Sequence, residues 1–205
     1  MIVERLKVGV IDYGMGNIAS LSGRLNKIGV NCLATSDKKI LDKVDLIILP
    51  GVGAFPSAME ELIRRNLKEY LIEQAKLEKP IIGICLGMQL LSNGSYEKKY
   101  TKGLNLLQGD FLSFKDEKTH IGWSSIKLAK SYDLLAKSNN EYFYFNHSYF
   151  YNGPEEYILA NSFYQENFAS VIGINKILGI QFHPEKSQLS GLIFLKNIIY
   201  GLVNG

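Results

Sequence analysis

The segment Gly83-Ile84-Cys85-Leu86-Gly87 sets a cysteine between two glycines, where an apolar run ends and a helical pattern begins. A nucleophile on a sharp strand-to-helix turn needs this arrangement. The glycines two positions either side admit close packing, and a helix N-terminus favours thiolate over thiol. A lone cysteine is more often a structural core residue; here the flanking glycines favour the nucleophile. Cys32, the other cysteine, has no such surroundings and reads as core.

A cysteine that attacks an amide needs a base and acid partner, because the leaving nitrogen must be protonated. The chain has three histidines, His120, His147 and His183. His183 ends the apolar run 177–182 and is followed by Pro184 and Glu185. On extended chain, residues i and i+2 point to the same side, and proline favours extended geometry before it. Glu185 can therefore reach the imidazole and fix its tautomer, as the third member of a catalytic triad does. His120 and His147 lie in aromatic stretches with no carboxylate two residues away, although on chemistry alone either could be the base. No spacing of histidine, cysteine and carboxylate fits a metal site, and nothing calls for a cofactor.

These residues need a scaffold that brings them together. The first half alternates strand and helix signals: strands at 7–12, 30–35, 44–49 and 81–85, helices at 18–28, from Pro56 through Leu77, and at 86–91. Continuous apolar strands between helices predict a parallel sheet covered on both faces. In the second half, 104–114, 122–128, 141–149, 157–163 and 168–182 read as added antiparallel strands, and 189–203 as a closing helix. Ligands of such sheets sit beyond the carboxyl ends of the strands. Asp12, Pro50 to Gly53, and Cys85 all fall at such ends.

The 205 residues suit one α/β domain, 1–205, with 46% hydrophobic residues and a formal charge of +3. Scattered lysines give no nucleic-acid footprint. Two cysteines make no disulfide framework, which fits a reduced, cytoplasmic protein. Residues 1–12 carry Glu4, Arg5 and Lys7 and lack the pattern of a signal peptide. No apolar run is long enough for a membrane span.

The motifs together resemble a family. Pro80-Ile81-Ile82-Gly83-Ile84-Cys85-Leu86-Gly87-Met88-Gln89 resembles the nucleophile motif of class I, triad-type glutamine amidotransferases. Gly179-Ile180-Gln181-Phe182-His183-Pro184-Glu185-Lys186-Ser187 resembles their histidine–glutamate motif, and Leu49-Pro50-Gly51-Val52-Gly53-Ala54-Phe55 their oxyanion strand. More narrowly, Asp12-Tyr13-Gly14-Met15-Gly16-Asn17, His120-Ile121-Gly122-Trp123 and His147-Ser148-Tyr149 are similar to the glutaminase subunits of imidazole glycerol phosphate synthases.

The resemblance implies a three-layer fold and a glutaminase using Cys85, His183 and Glu185. It implies oxyanion donors near Val52, Gly53 and Leu86, and substrate contacts from Gly51, Gln89, Ser148 and Tyr149. It also implies ammonia transfer to a (β/α)8-barrel cyclase of histidine biosynthesis, with Asn17, Trp123 and Lys186 at the interface. The exposed aromatics around Trp123, Tyr142, Tyr144 and Tyr149 are further candidates for that surface. Three positions depart from the family pattern. Thr119 replaces the usual proline, Ser124 the usual asparagine, and Asn146 an apolar residue. Related paralogues feed ammonia to amidating enzymes of surface-saccharide synthesis, and this chain could be one.

Rival readings exist. Gly14-Met15-Gly16-Asn17-Ile18-Ala19 satisfies a dinucleotide fingerprint, with Asp37 as the acidic partner. Asp12 and Tyr13 separate strand from glycine, however, and nothing else suggests hydride chemistry. A stand-alone peptidase or γ-glutamyl hydrolase would share the cysteine and histidine but need no partner. A non-catalytic regulatory subunit would need no intact triad.

Overall fold

The computed structural model describes residues 5–205. Glu4, weighed above, lies outside them. The first half runs β1 (Lys7–Ile11), α1 (Ile18–Lys27), β2 (Asn31–Thr35), α2 (Lys38–Leu41), β3 (Leu46–Leu49), α3 (Phe55–Arg64), α4 (Leu67–Lys76), β4 (Ile81–Ile84) and α5 (Leu86–Leu90). The second half runs β5 (Gly94–Ser95), β6 (Thr101–Lys102), β7 (Asp110–Ser113), β8 (His120–Ser125), β9 (Lys127–Leu128), β10 (Tyr142–His147), β11 (Tyr149–Asn152), β12 (Ile158–Tyr164), β13 (Glu166–Ile174) and β14 (Ile177–Ile180), and α6 (Gln188–Asn204) closes it.

The main sheet has the order β2-β1-β3-β4-β14-β13-β12-β9. Its first five strands are parallel, β14 included, and the last three are antiparallel. Every residue of β3 and β4 is buried, as a sheet covered on both faces requires. Alternation along each strand splits the core in two. Leu46, Ile48, Ile82 and Ile84 pack with α1 and α6, while Ile47, Leu49 and Ile81 pack with α3, α4 and α5. Two small sheets, β10-β8 and β11-β7-β5-β6, flank the main one.

The sequence reading and the structure differ at turns. The long helix expected from Pro56 is two helices, because Asn66 takes a left-handed conformation at φ 54°. The strand expected at 168–182 is β13 and β14, reversed at Asn175 with φ 51°. Of 104–114 only β7 is strand, and 141–149 breaks at Ser148 as the chain passes from one small sheet to the other. The helix α2, which hydrophobic periodicity did not show, is capped by Asp37, whose carboxylate accepts from Lys39 N at 2.9 Å. That capping occupies the residue the dinucleotide reading needed for a ribose. No helix among the described residues is long and apolar enough to cross a membrane.

Candidate active site

Strands β1, β3, β4 and β14 are parallel, so their carboxyl ends share one edge. Residues 12–17, 50–53, Cys85 and 181–185 follow those ends. The sheet thus assembles motifs spread from residue 12 to residue 185.

Cys85 joins β4 to α5 with φ 54° and ψ −110°, a backbone strained for a residue with a side chain. The turn closes only because of glycine. A Cβ on Gly87 would lie 1.9 Å from the carbonyl oxygen of Leu49. Cys85 N donates to Ile180 O at 2.7 Å, which ties the elbow to β14. The sulfur lies 3.7 Å from the carbonyl oxygen of Asn146, and the Gln181 amide nitrogen approaches it to 4.0 Å.

His183 is buried within hydrogen-bonding reach of Cys85, and its Nδ1 lies 2.8 Å from Glu185 Oε1. Burial would lower the pKa of His183, but the charges and hydrogen bonds of Cys85 and Glu185 outweigh it and raise it to about 10. The backbone around the pair is pinned. His183 N donates to Tyr144 O, the Ser187 hydroxyl donates to His183 O and accepts from Tyr144 N, and Arg24 Nε donates to Glu185 O. A cysteine, an imidazole and a buried carboxylate in sequence form a nucleophile with its base and an orienter.

These side chains open on a cavity of about 250 Å³. Val52, Gly53, Leu86, Gln89, Ser148, Tyr149 and Lys186 line it together with Cys85 and His183. The volume suits a small amino acid rather than a peptide. N–H groups in the first turn of α5 have no partners within the helix and are available at the nucleophile.

A family model for class-I glutamine amidotransferases matches residues 9–198. The chain belongs to this family. It is 45% identical over 191 residues to the imidazole glycerol phosphate synthase subunit HisH of Listeria monocytogenes serotype 4b (strain CLIP80459), spanning 91% of this chain and 92% of that one. The subunit HisH of Methanothermobacter thermautotrophicus is 38% identical over 194 residues, spanning 94% and 97%. Among solved structures, PurLQS from Thermotoga maritima superposes with a TM-score of 0.77 at 20% identity, covering 98% of both chains. A glutamine amidotransferase from Thermotoga maritima gives 0.73 at 15%, covering 98% and 99%. The expected fold class and enzyme class both hold, and the dinucleotide reading falls with them.

Not every residue singled out in this amidotransferase lies in the cavity. Gly51 packs behind it, where a Cβ would come within 2.9 Å of Leu86 and of the Tyr13 hydroxyl. Asn17 borders a small void behind His183 and Glu185. Trp123 stands outside, 45% exposed on β8, with Tyr144 opposite it on β10. Cys32 is half-buried beside Ser22, away from the cavity. Glu97, Thr119, Asn146 and His147 line the cavity without having been assigned to it by the sequence. Glu97 sits in a run of charges that reads as a solvated loop, yet its Oε2 accepts from Phe55 N at 2.7 Å. Among the described residues no group of histidine, cysteine and carboxylate could hold a metal ion.

Proposed function

We propose that this chain is the glutaminase subunit of an imidazole glycerol phosphate synthase, acting in the cytoplasm as one amidotransferase domain over 1–205. The observation that carries the reading is the Cys85–His183–Glu185 constellation facing a cavity of about 250 Å³.

The Cys85 thiolate attacks the side-chain carboxamide carbon of glutamine. The carbonyl oxygen becomes an oxyanion, held by backbone N–H groups at Val52, Gly53 and Leu86, each worth about 3 kcal/mol in such sites. His183, held charged by Cys85 and Glu185, delivers its proton to the departing nitrogen and releases ammonia. It then takes a proton from water as the water attacks the thioester, and glutamate leaves with the thiolate restored. Glu185 keeps the imidazole oriented throughout. Gln89, Ser148, Tyr149 and Glu97 line the cavity, which supports their binding the amino-acid end of glutamine, with the Glu97 carboxylate toward its ammonium group.

Ammonia is mostly ammonium in water at neutral pH, so its transfer needs a shielded passage to an acceptor enzyme. A (β/α)8-barrel cyclase docked on the edge bearing Trp123, Tyr144 and Lys186 would provide it. The ammonium group of Lys186 stands 5.5 Å from the Tyr144 ring centre, so the two form one surface feature. Asn17, which follows β1 and borders the void behind His183 and Glu185, is read as part of the same docking surface.

Glutamate release from glutamine, measured for the chain alone and with a barrel cyclase and its ribulosyl substrate, tests this reading. Strong stimulation that is absent in Cys85→Ala is the expected result. Activity that the cyclase leaves unchanged would contradict the partner. Thr119 and Ser124, which depart from the family pattern, favour a second reading, in which an amidating enzyme of saccharide synthesis is the acceptor and stimulates instead.

A further inference from the structure

Two buried histidines take no part in the chemistry above. His120 opens β8, His147 closes β10, and the two are directly opposed in the antiparallel pair. They are 3% and 5% exposed. His120 is stacked between Phe145 and Tyr164, with centroids at 4.9 and 4.5 Å. His147 packs against Phe114 and Phe168.

A chain of hydrogen bonds runs through the pair, and each bond sets the direction of the next. His147 Nδ1 lies 2.8 Å from the backbone carbonyl oxygen of Tyr149. A carbonyl only accepts, so the proton is on His147 Nδ1. Burial holds His147 neutral, its pKa lowered to about 3, and His120 likewise at about 4. A neutral imidazole has one donor and one acceptor. His147 Nε2 therefore accepts, and His120 Nδ1, 3.2 Å away, must donate to it. His120 Nε2 is left as an acceptor, and the Ser124 hydroxyl at 3.0 Å donates to it.

The chain ends where the cavity wall is made. At His147, β10 stops pairing with β8, and two residues later β11 begins pairing with β7. The one residue between the two strands is Ser148, which lines the cavity and whose hydroxyl lies 2.7 Å from that of Thr119. The bond from His147 Nδ1 to Tyr149 O spans this crossover.

We infer that His120 and His147 are positioning residues, a neutral pair with both protons on Nδ1, aligned by Ser124, that holds the Ser148–Tyr149 crossover in its glutamine-binding form. The kinetic consequence rests on the glutaminase reading; the tautomers do not.

Nitrogen-15 imidazole spectra of the wild-type chain near neutral pH test the tautomers without any variant or activity. Both rings should show a protonated Nδ1 and an unprotonated Nε2. An Nε2–H tautomer or an imidazolium at either residue would overturn the inference. Two variants then separate positioning from packing. His120→Phe keeps the stacked ring and loses the donor, so KM for glutamine should rise roughly tenfold with kcat nearly unchanged. His120→Asn loses the ring but offers an amide N–H where Nδ1 was. It should be less stable than His120→Phe yet keep KM within about threefold of wild type. Wild-type KM in a folded His120→Phe would overturn the positioning role. If wild type shows the expected tautomers but hydrolyses no glutamine under any condition, the glutaminase reading fails and the paired tautomers stand.

Discussion

The buried hydroxyl of Tyr13 donates to the carbonyl oxygen of Pro50 at 2.9 Å, bridging the loops that follow β1 and β3. Pro50 opens the segment that carries Val52 and Gly53 to the nucleophile, so this bond fixes one end of the candidate oxyanion strand. Tyr13→Phe keeps the ring and leaves a buried carbonyl without its donor, at a cost of about 1–3 kcal/mol. Urea unfolding should show that loss. Glutaminase assays should show kcat falling more than KM changes, because a misplaced oxyanion donor affects the transition state rather than substrate binding.

Two glycine substitutions should have opposite signs. Gly87→Ala drives a Cβ to 1.9 Å from the Leu49 carbonyl oxygen, a backbone atom that cannot swing aside. We expect a loss of about 3 kcal/mol or more, or failure to fold. Gly23 lies within α1 with nothing within 4 Å of an added Cβ. Gly23→Ala should stabilise the chain by roughly 0.5–1 kcal/mol. Thermal melts of the two variants beside wild type check both.

Glu185→Gln retains the shape of the side chain opposite His183 but removes its charge and presents an amide that can donate to Nδ1. The wrong tautomer then faces Cys85. By analogy with triad enzymes, kcat should fall roughly 10²–10⁴-fold, while KM for glutamine moves little. Steady-state kinetics would separate the two parameters. A loss confined to KM would contradict the orienting role.

The charge on His183 also links stability to pH. Its pKa is raised from 6.5 to about 10, so the folded state holds a proton that the unfolded chain releases. That contribution is complete below about pH 6.5 and is lost as pH rises toward about 10. Cys85→Ala removes the charge that contributes most to the increase. Urea unfolding across this window should therefore show a steeper decline for wild type than for Cys85→Ala. Parallel declines would contradict the coupling.

Much of the site was legible in sequence because its geometry is local. Residues i and i+2 of an extended segment give the His183–Glu185 bond, and one glycine–cysteine turn gives the elbow. Parallel strands then bring both to the same edge. What was not legible depends on backbone reversals and on tertiary contacts. Nothing in the apolar pattern places a left-handed residue at Asn66 or Asn175. Glu97 lies among lysines in sequence, and only a bond to the backbone of α3 brings it into the cavity wall. His120 and His147 belong to separate motifs 27 residues apart, and strand pairing alone makes them neighbours.

The central claim is that Cys85 is the residue that attacks glutamine. An electrophilic glutamine analogue, incubated with the chain and followed by peptide mapping in a mass spectrometer, tests it most directly. The account predicts one adduct, on Cys85, slowed by excess glutamine and absent from Cys85→Ala, with Cys32 unmodified. Labelling at Cys32, or labelling of Cys85 that glutamine does not slow, would contradict it.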